Sequence, residues 1–170
     1  MGAALVAMVA RICEANPKYA GLRGLALDLI RRADGLRDAC VVARRRDEAA
    51  FALVVEASAL PKDAPDRAQR LEGALREAAA EPLHAAALAL EVMQLASRLL
   101  EIPNKNLTSD VGCAAEFGAA AIAACAYNVR INHRFMKDNT TIELQRNELA
   151  RFERESAARL SVIRREIARR

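Results

Sequence analysis

The chain has 170 residues, enough for one domain with a real core. Its formal net charge is only +4 and aromatics make up 4% of it. That excludes the basic, aromatic-interleaved stripe of a nucleic-acid binder. Over half the residues are apolar, many of them alanine, and there are only 7 Gly and 5 Pro. Strong helix formers dominate, so the composition predicts an all-α fold: a single-domain bundle of about five long helices over residues 1–170.

Residues 2–15 read as a first helix, apolar nearly all round and therefore expected to be buried. It begins without a capping residue, which leaves its first N–H groups in need of partners. GAALVAMVA is short and is soon followed by Arg11 and Glu14. No signal peptide or membrane span is expected. Asn16-Pro17 ends this helix, and Gly21 precedes a second that runs to about Ala59. Its apolar line is Leu22, Leu25, Leu29, Ala33, Leu36, Cys40, Ala43, Phe51 and Val54. Asp47 interrupts that line, four residues after Ala43 and four before Phe51, and is expected to point inward. A carboxylate on a buried face is costly unless paired. Two readings stay open: an edge position or ion pair with a residue such as Arg44, and a tuned acid or base in a cleft.

Leu60 to Pro65 is a break, with Asp63 a candidate N-cap and Pro65 fit for a first turn. The third helix is expected to reach about Leu100 and to kink or split at Pro82. His84 just beyond it reads as an ordinary helical histidine. Ile102-Pro103 stops the segment. The polar loop Asn104, Asn106, Asp110 then opens a run of small residues, Gly112 to Ala126, with Ser109 or Asp110 as its cap. A second polar cluster, Asn128, Arg130, Asn132 and His133, closes it. A low-bulk helix lets neighbouring backbones come close. After Asp138-Asn139 a last helix carries Ile142, Leu149, Phe152, Leu160, Ile163 and Ile167 on one face, with Ser156 as a gap.

Cys13, Cys40, Cys113 and Cys125 are far apart, form no CxxC and have no histidine at ligand spacing. They read as buried free thiols in a reducing, cytoplasmic setting, and no metal is expected. No nucleophile elbow, P-loop or dinucleotide fingerprint occurs. More apolar surface is present than one bundle can hide, so a dimer is predicted.

GAALVAMVAR, KYA at Lys18–Ala20, DEAAF at Asp47–Phe51, LPKDAP at Leu60–Pro65, NKNLTSDVG at Asn104–Gly112 and NVRIN at Asn128–Asn132 follow in order. Together they resemble the formiminotetrahydrofolate cyclodeaminase family, with its methenyltetrahydrofolate cyclohydrolase branch. The resemblance spans nearly the whole chain. It implies a helical homodimer whose substrate is a tetrahydrofolate derivative; from the residues themselves no metal, nucleic-acid or membrane partner is expected. It places Asp47 at the family's catalytic acid, which shuttles a proton from N10 to the departing nitrogen. It implies substrate contacts from Asn104, Asn106, Asp110, Asn128 and Asn132, and from Lys18 toward the folate tail. The expected reaction is cyclodeamination of 5-formiminotetrahydrofolate to 5,10-methenyltetrahydrofolate. Methenyltetrahydrofolate hydrolysis and a non-catalytic helical dimer are the alternatives. Family members also carry a glycine-rich leader before the first helix, and this chain is expected to lack it.

Overall fold

A computed structural model describes all of residues 1–170. Five α-helices account for the fold: α1 Gly2–Ala15, α2 Arg23–Ala59, α3 Arg67–Leu99, α4 Thr108–His133 and α5 Asn139–Ala168. Short 3-10 turns at Pro17–Leu22 and Lys105–Leu107 lead into α2 and α4. There are no strands, as the composition predicts.

The third helix is the central post. It packs on α2 along one side, α4 along another and α5 along a third. Its sequence suits this, because alanine and leucine alternate round it and leave buried residues from Ala74 to Leu99. The first helix lies in the groove between α2 and α4, over the C-terminal half of α3. Val6, Ala10 and Cys13 are fully buried there, whereas Met8 and Ile12 face outward. The expectation of an all-round buried α1 is thus corrected: one stripe of it has no neighbour.

Close approach explains the small residues. A Cβ at Gly2 would lie 2.9 Å from Val92 Cγ1 and 3.0 Å from Ala114 O, so α1 touches α3 and α4 at backbone distance. A Cβ at Gly118 would lie 2.5 Å from Met93 Cγ. Ser156 of α5 meets the same methionine, its hydroxyl 3.4 Å from Met93 Sδ. The gap in the α5 stripe is therefore room for Met93, which wedges between α4 and α5.

Several boundary readings are revised. Arg67 opens α3 after Asp66, and Asp63 makes no cap, because Pro61 to Asp66 turns before the helix begins. Helix α3 runs unbroken through Pro82 rather than splitting. Neither Ser109 nor Asp110 caps α4. Asn104 caps the preceding 3-10 turn, and the Thr108 hydroxyl donates to the Lys105 carbonyl at 2.7 Å. Asp138, for which the sequence suggested no such role, caps α5, accepting from the N–H groups of Thr140 and Thr141. Of the four thiols only Cys13 is buried; Cys40 and Cys113 are exposed and Cys125 is half-buried.

Lateral ion pairs join neighbouring helices: Arg98 to Asp28 at 2.8 Å, Arg130 to Glu153 at 2.7 Å and Arg164 to Glu116 at 2.7 Å. The Arg98 guanidinium, hydrogen-bonded to Asp28, holds that carboxyl below the usual range. At the far end Arg170 donates to the carbonyls of Leu100 and Ile102, tying the chain's end to the close of α3.

Candidate active site

Beyond the N-terminus of α1 the groove between α2 and α4 continues as a cavity of about 710 Å³, floored by α3. That volume is in the range of small-molecule and cofactor sites. Its walls are mainly apolar, among them Leu88 and Val92 of α3 and Phe117 of α4. The polar groups come chiefly from α2: Arg37, Asp38, Arg44 and Asp47. Asn128 of α4 faces them across the floor.

Asp47 is in the cavity, though not as the periodicity suggested. It is exposed rather than buried. Past Ala43 the buried residues of α2 are Ala50 and Ala57, spaced by seven, so the contact with α3 is a narrow alanine seam. Phe51, expected to be inside, is 66% exposed. Asp47 sits on the flank of that seam, where the helix turns toward the cavity. No ion pair with Arg44 forms; Arg44 leans on Glu48 instead, at 3.6 Å. The carboxylate is left open to solvent and ligand.

Two thiols share the site, Cys40 on α2 and Cys125 on α4. Burial pushes the Cys125 thiol above its ordinary value, and the negative charge of Asp47 adds to the rise. Burial also raises the Cys40 thiol. Both stay protonated at neutral pH and act as soft, uncharged wall. Sequence reading missed them as site residues because lone cysteines on helices carry no spacing signal. It also did not place Arg37, Asp38 or Arg44 in a site; Arg44 entered only as a possible ion-pair partner of Asp47.

The other sequence-predicted residues are distributed differently. Asn128 lines the cavity. Asn132 lies one turn further on, and its amide has a structural task. Pro82 has no N–H, so the carbonyl of Ala78, four residues earlier, lacks its usual helical donor. Asn132 Nδ2 donates to that carbonyl at 2.8 Å and to its own Asn128 carbonyl at 2.9 Å. One amide thereby repairs α3 and ties it to α4 beside two cavity residues, Pro82 and Asn128. Asn104, Asn106 and Asp110 stand at the opposite end of α4. Eighteen residues of helix separate Asp110 from Asn128, about 27 Å. Asn104 Nδ2 reaches Cys13 Sγ at 3.6 Å and does not border the cavity. Lys18 projects from the 3-10 turn, 5.8 Å from the Tyr19 ring. Within one protomer, then, the structure brings together Asp47 and Asn128, with Asn132 behind them, and leaves the other four elsewhere. No group of three or more His, Cys, Asp or Glu side chains is placed to hold a metal ion.

The family model described as formiminotransferase-cyclodeaminase matches residues 1–151. A methenyltetrahydrofolate cyclohydrolase of Methylorubrum extorquens is 31% identical over 153 residues, covering 88% of this chain and 74% of that one. The solved formiminotetrahydrofolate cyclodeaminase of Thermotoga maritima superposes with a TM-score of 0.90 at 24% identity, over 99% of this chain and 82% of that one. That likeness shows the same all-helical fold, and the matched family model settles the kinship: the chain belongs to the formiminotransferase-cyclodeaminase family.

Proposed function

We propose that the chain is a folate one-carbon enzyme that works on the carbon bridging N5 and N10 of tetrahydrofolate. The cavity between α2 and α4 is its site and Asp47 its proton carrier. The observation that carries this is the placement of an unpaired carboxylate at the mouth of a largely apolar cavity of about 710 Å³. Apolar walls suit the flat pterin and benzoyl rings. Asn128 donates and accepts at a heterocycle edge, and Arg37 and Arg44 suit an anionic tail.

The first reading is cyclodeamination, which the family's description favours. N10 attacks the formimino carbon and gives its proton to the Asp47 carboxylate. The carbon–nitrogen bond to the amine then breaks, and the same carboxyl group returns the proton to the leaving nitrogen. The product is 5,10-methenyltetrahydrofolate, with ammonia released. The second reading is favoured by the Methylorubrum relative. Water attacks the methenyl carbon and gives one proton to Asp47, which passes it to N5 as that carbon–nitrogen bond breaks; the remaining hydroxyl proton goes to solvent, and 10-formyltetrahydrofolate leaves. In both, one carboxyl group acts as base and then as acid. The protein is proposed to act as a homodimer in the cytoplasm.

Methenyltetrahydrofolate absorbance separates the readings. Its growth from the formimino compound supports the first, and its enzyme-dependent loss above the spontaneous rate supports the second. Neither change, together with no tetrahydrofolate binding, would overturn both.

A further inference from the structure

The α2 wall of the cavity is a stripe. Arg37, Cys40, Arg44 and Asp47 line it at alternating steps of three and four, so they share one side of the helix. The next position in that series is Phe51, which keeps 66% of its surface exposed. On α4 the lining residues end at Asn128, and Ile131, a turn further on, is 44% exposed. Both helices run antiparallel to α3. Arg98 of α3 meets Asp28 while Arg67 meets the carbonyls of Ser58 and Leu60, and Met93 lies against Gly118 while the Ala78 carbonyl meets Asn132. Asp47, Asn128 and Pro82 therefore lie together at one end of the cavity, and Gly2 and Val92 close the other. The end at Asp47 is open, and Phe51 stands on its rim.

One exposed apolar side chain is ordinary by itself. The shape of the substrate gives this one a task. The carbon between N5 and N10 lies midway along a tetrahydrofolate, with the pterin to one side and the benzoyl-glutamate to the other. Asp47 exchanges protons at that carbon's substituents, and it is the last α2 residue of the cavity wall. One half of the substrate thus fits inside, and the other half lies beyond Asp47, over the next turn of α2. Charge decides which half goes where. Arg44 and Arg37 stand on the inner side of Asp47, Arg37 about 15 Å back along the helix axis. Leu88, Val92 and Phe117 wall the space beside them. The glutamate carboxylates are drawn inward and the pterin is left outward. Side chains of a helix lean toward its N-terminus, so a ring at position 51 covers the turn that carries Asp47.

We propose that Phe51 is a substrate-positioning residue: its ring stacks on the pterin of a bound tetrahydrofolate at the open end of the cavity and holds the N5–N10 bridge at the Asp47 carboxylate. This rests on the folate reading above and adds to it an orientation, tail inward and pterin outward.

The chain has no tryptophan, so the full chain carrying Phe51→Trp holds a single indole at the proposed stacking position. Tetrahydrofolate is expected to quench its emission strongly, and that of Val55→Trp, a turn further out, much less. Phe51→Ala should weaken tetrahydrofolate binding by about ten- to a hundredfold, the usual worth of one ring stacked on a heterocycle. Phe51→Tyr, which keeps the ring, should bind as the parent does. The KM of Phe51→Ala should rise by a similar factor with kcat largely kept, and its melting temperature should not move, because the ring buries little in the fold. As competitors, 6-methyltetrahydropterin should lose affinity in Phe51→Ala and p-aminobenzoylglutamate should not; the reverse pattern would overturn the orientation. Parent-like tetrahydrofolate affinity in Phe51→Ala would overturn the inference and leave the folate reading standing, and so would a change confined to its sedimentation. A parent chain that binds no tetrahydrofolate would instead remove the folate reading on which the inference rests.

Discussion

Asp47 shows how one residue acquires a role from its position on a helix. It stands beside the alanine seam of α2, at the cavity, and spends no hydrogen bond on the fold. Asp47→Asn is therefore expected to cut turnover by about 10² to 10⁴, the usual worth of a positioned acid–base group. Its melting temperature should stay within a degree or so of the parent's. Parent-like turnover in that variant would remove Asp47 from the chemistry. Asn132 is the opposite case, a polar residue bound up with the backbone. Asn132→Ala leaves the Ala78 carbonyl without its donor, a loss of about 1–3 kcal/mol. Pro82→Ala in that background returns an N–H to the helix and should recover much of the loss. Simple additivity in a thermal-unfolding cycle of the two substitutions would contradict the repair.

At the scale of elements, two contacts decide how helices meet. Met93 fills the space that Gly118 and Ser156 leave, so Gly118→Ala forces overlap with its Cγ. Overpacking of that kind costs about 1–3 kcal/mol, readable in urea unfolding; an unchanged midpoint would mean that Met93 moves aside freely. Asp138 caps α5, and its carboxyl is held below the ordinary range chiefly by the Thr141 hydroxyl and N–H. A depressed folded-state value contributes stability above the unfolded pKa, about 3.9. That contribution fades as pH falls through the lower native value. Asp138→Ala is expected to lower the melting temperature by a few degrees at pH 7 and by much less at pH 2–3. A pH-independent difference would show that the cap's charge contributes nothing.

For the whole molecule, several carboxylates share this direction. Asp28 and Asp34 are lowered by arginines of neighbouring helices, and Glu155 by Arg159. The stability profile of the full chain should therefore be flat near neutrality and decline below about pH 4. Salt should weaken these exposed pairs, since each alone is worth little. A steeper loss between pH 5 and 7 than below 4 would point to groups other than these. The isolated protomer also leaves apolar surface open on α4, and on α2 at Phe51 and Val55.

The sequence by itself determined the helix content, the ends of α1 and α2, the start of α5 after Asp138 and the gap at Ser156. Each follows from local propensity or from 3.6-residue spacing, which short-range chemistry dictates. It also singled out Asp47 and Asn128, one as a break in an apolar line and both through family resemblance. Only the tertiary structure decided which way Asp47 turns, because the contact of α2 with α3 shifts to a seven-residue alanine seam after Ala43. Only packing between helices remote in sequence made Cys40 and Cys125 neighbours of Asp47, gave Asn132 the carbonyl that Pro82 abandons, and put Asn104 to Asp110 a helix length from the cavity. Spacing along one helix carries no record of what lies across from it.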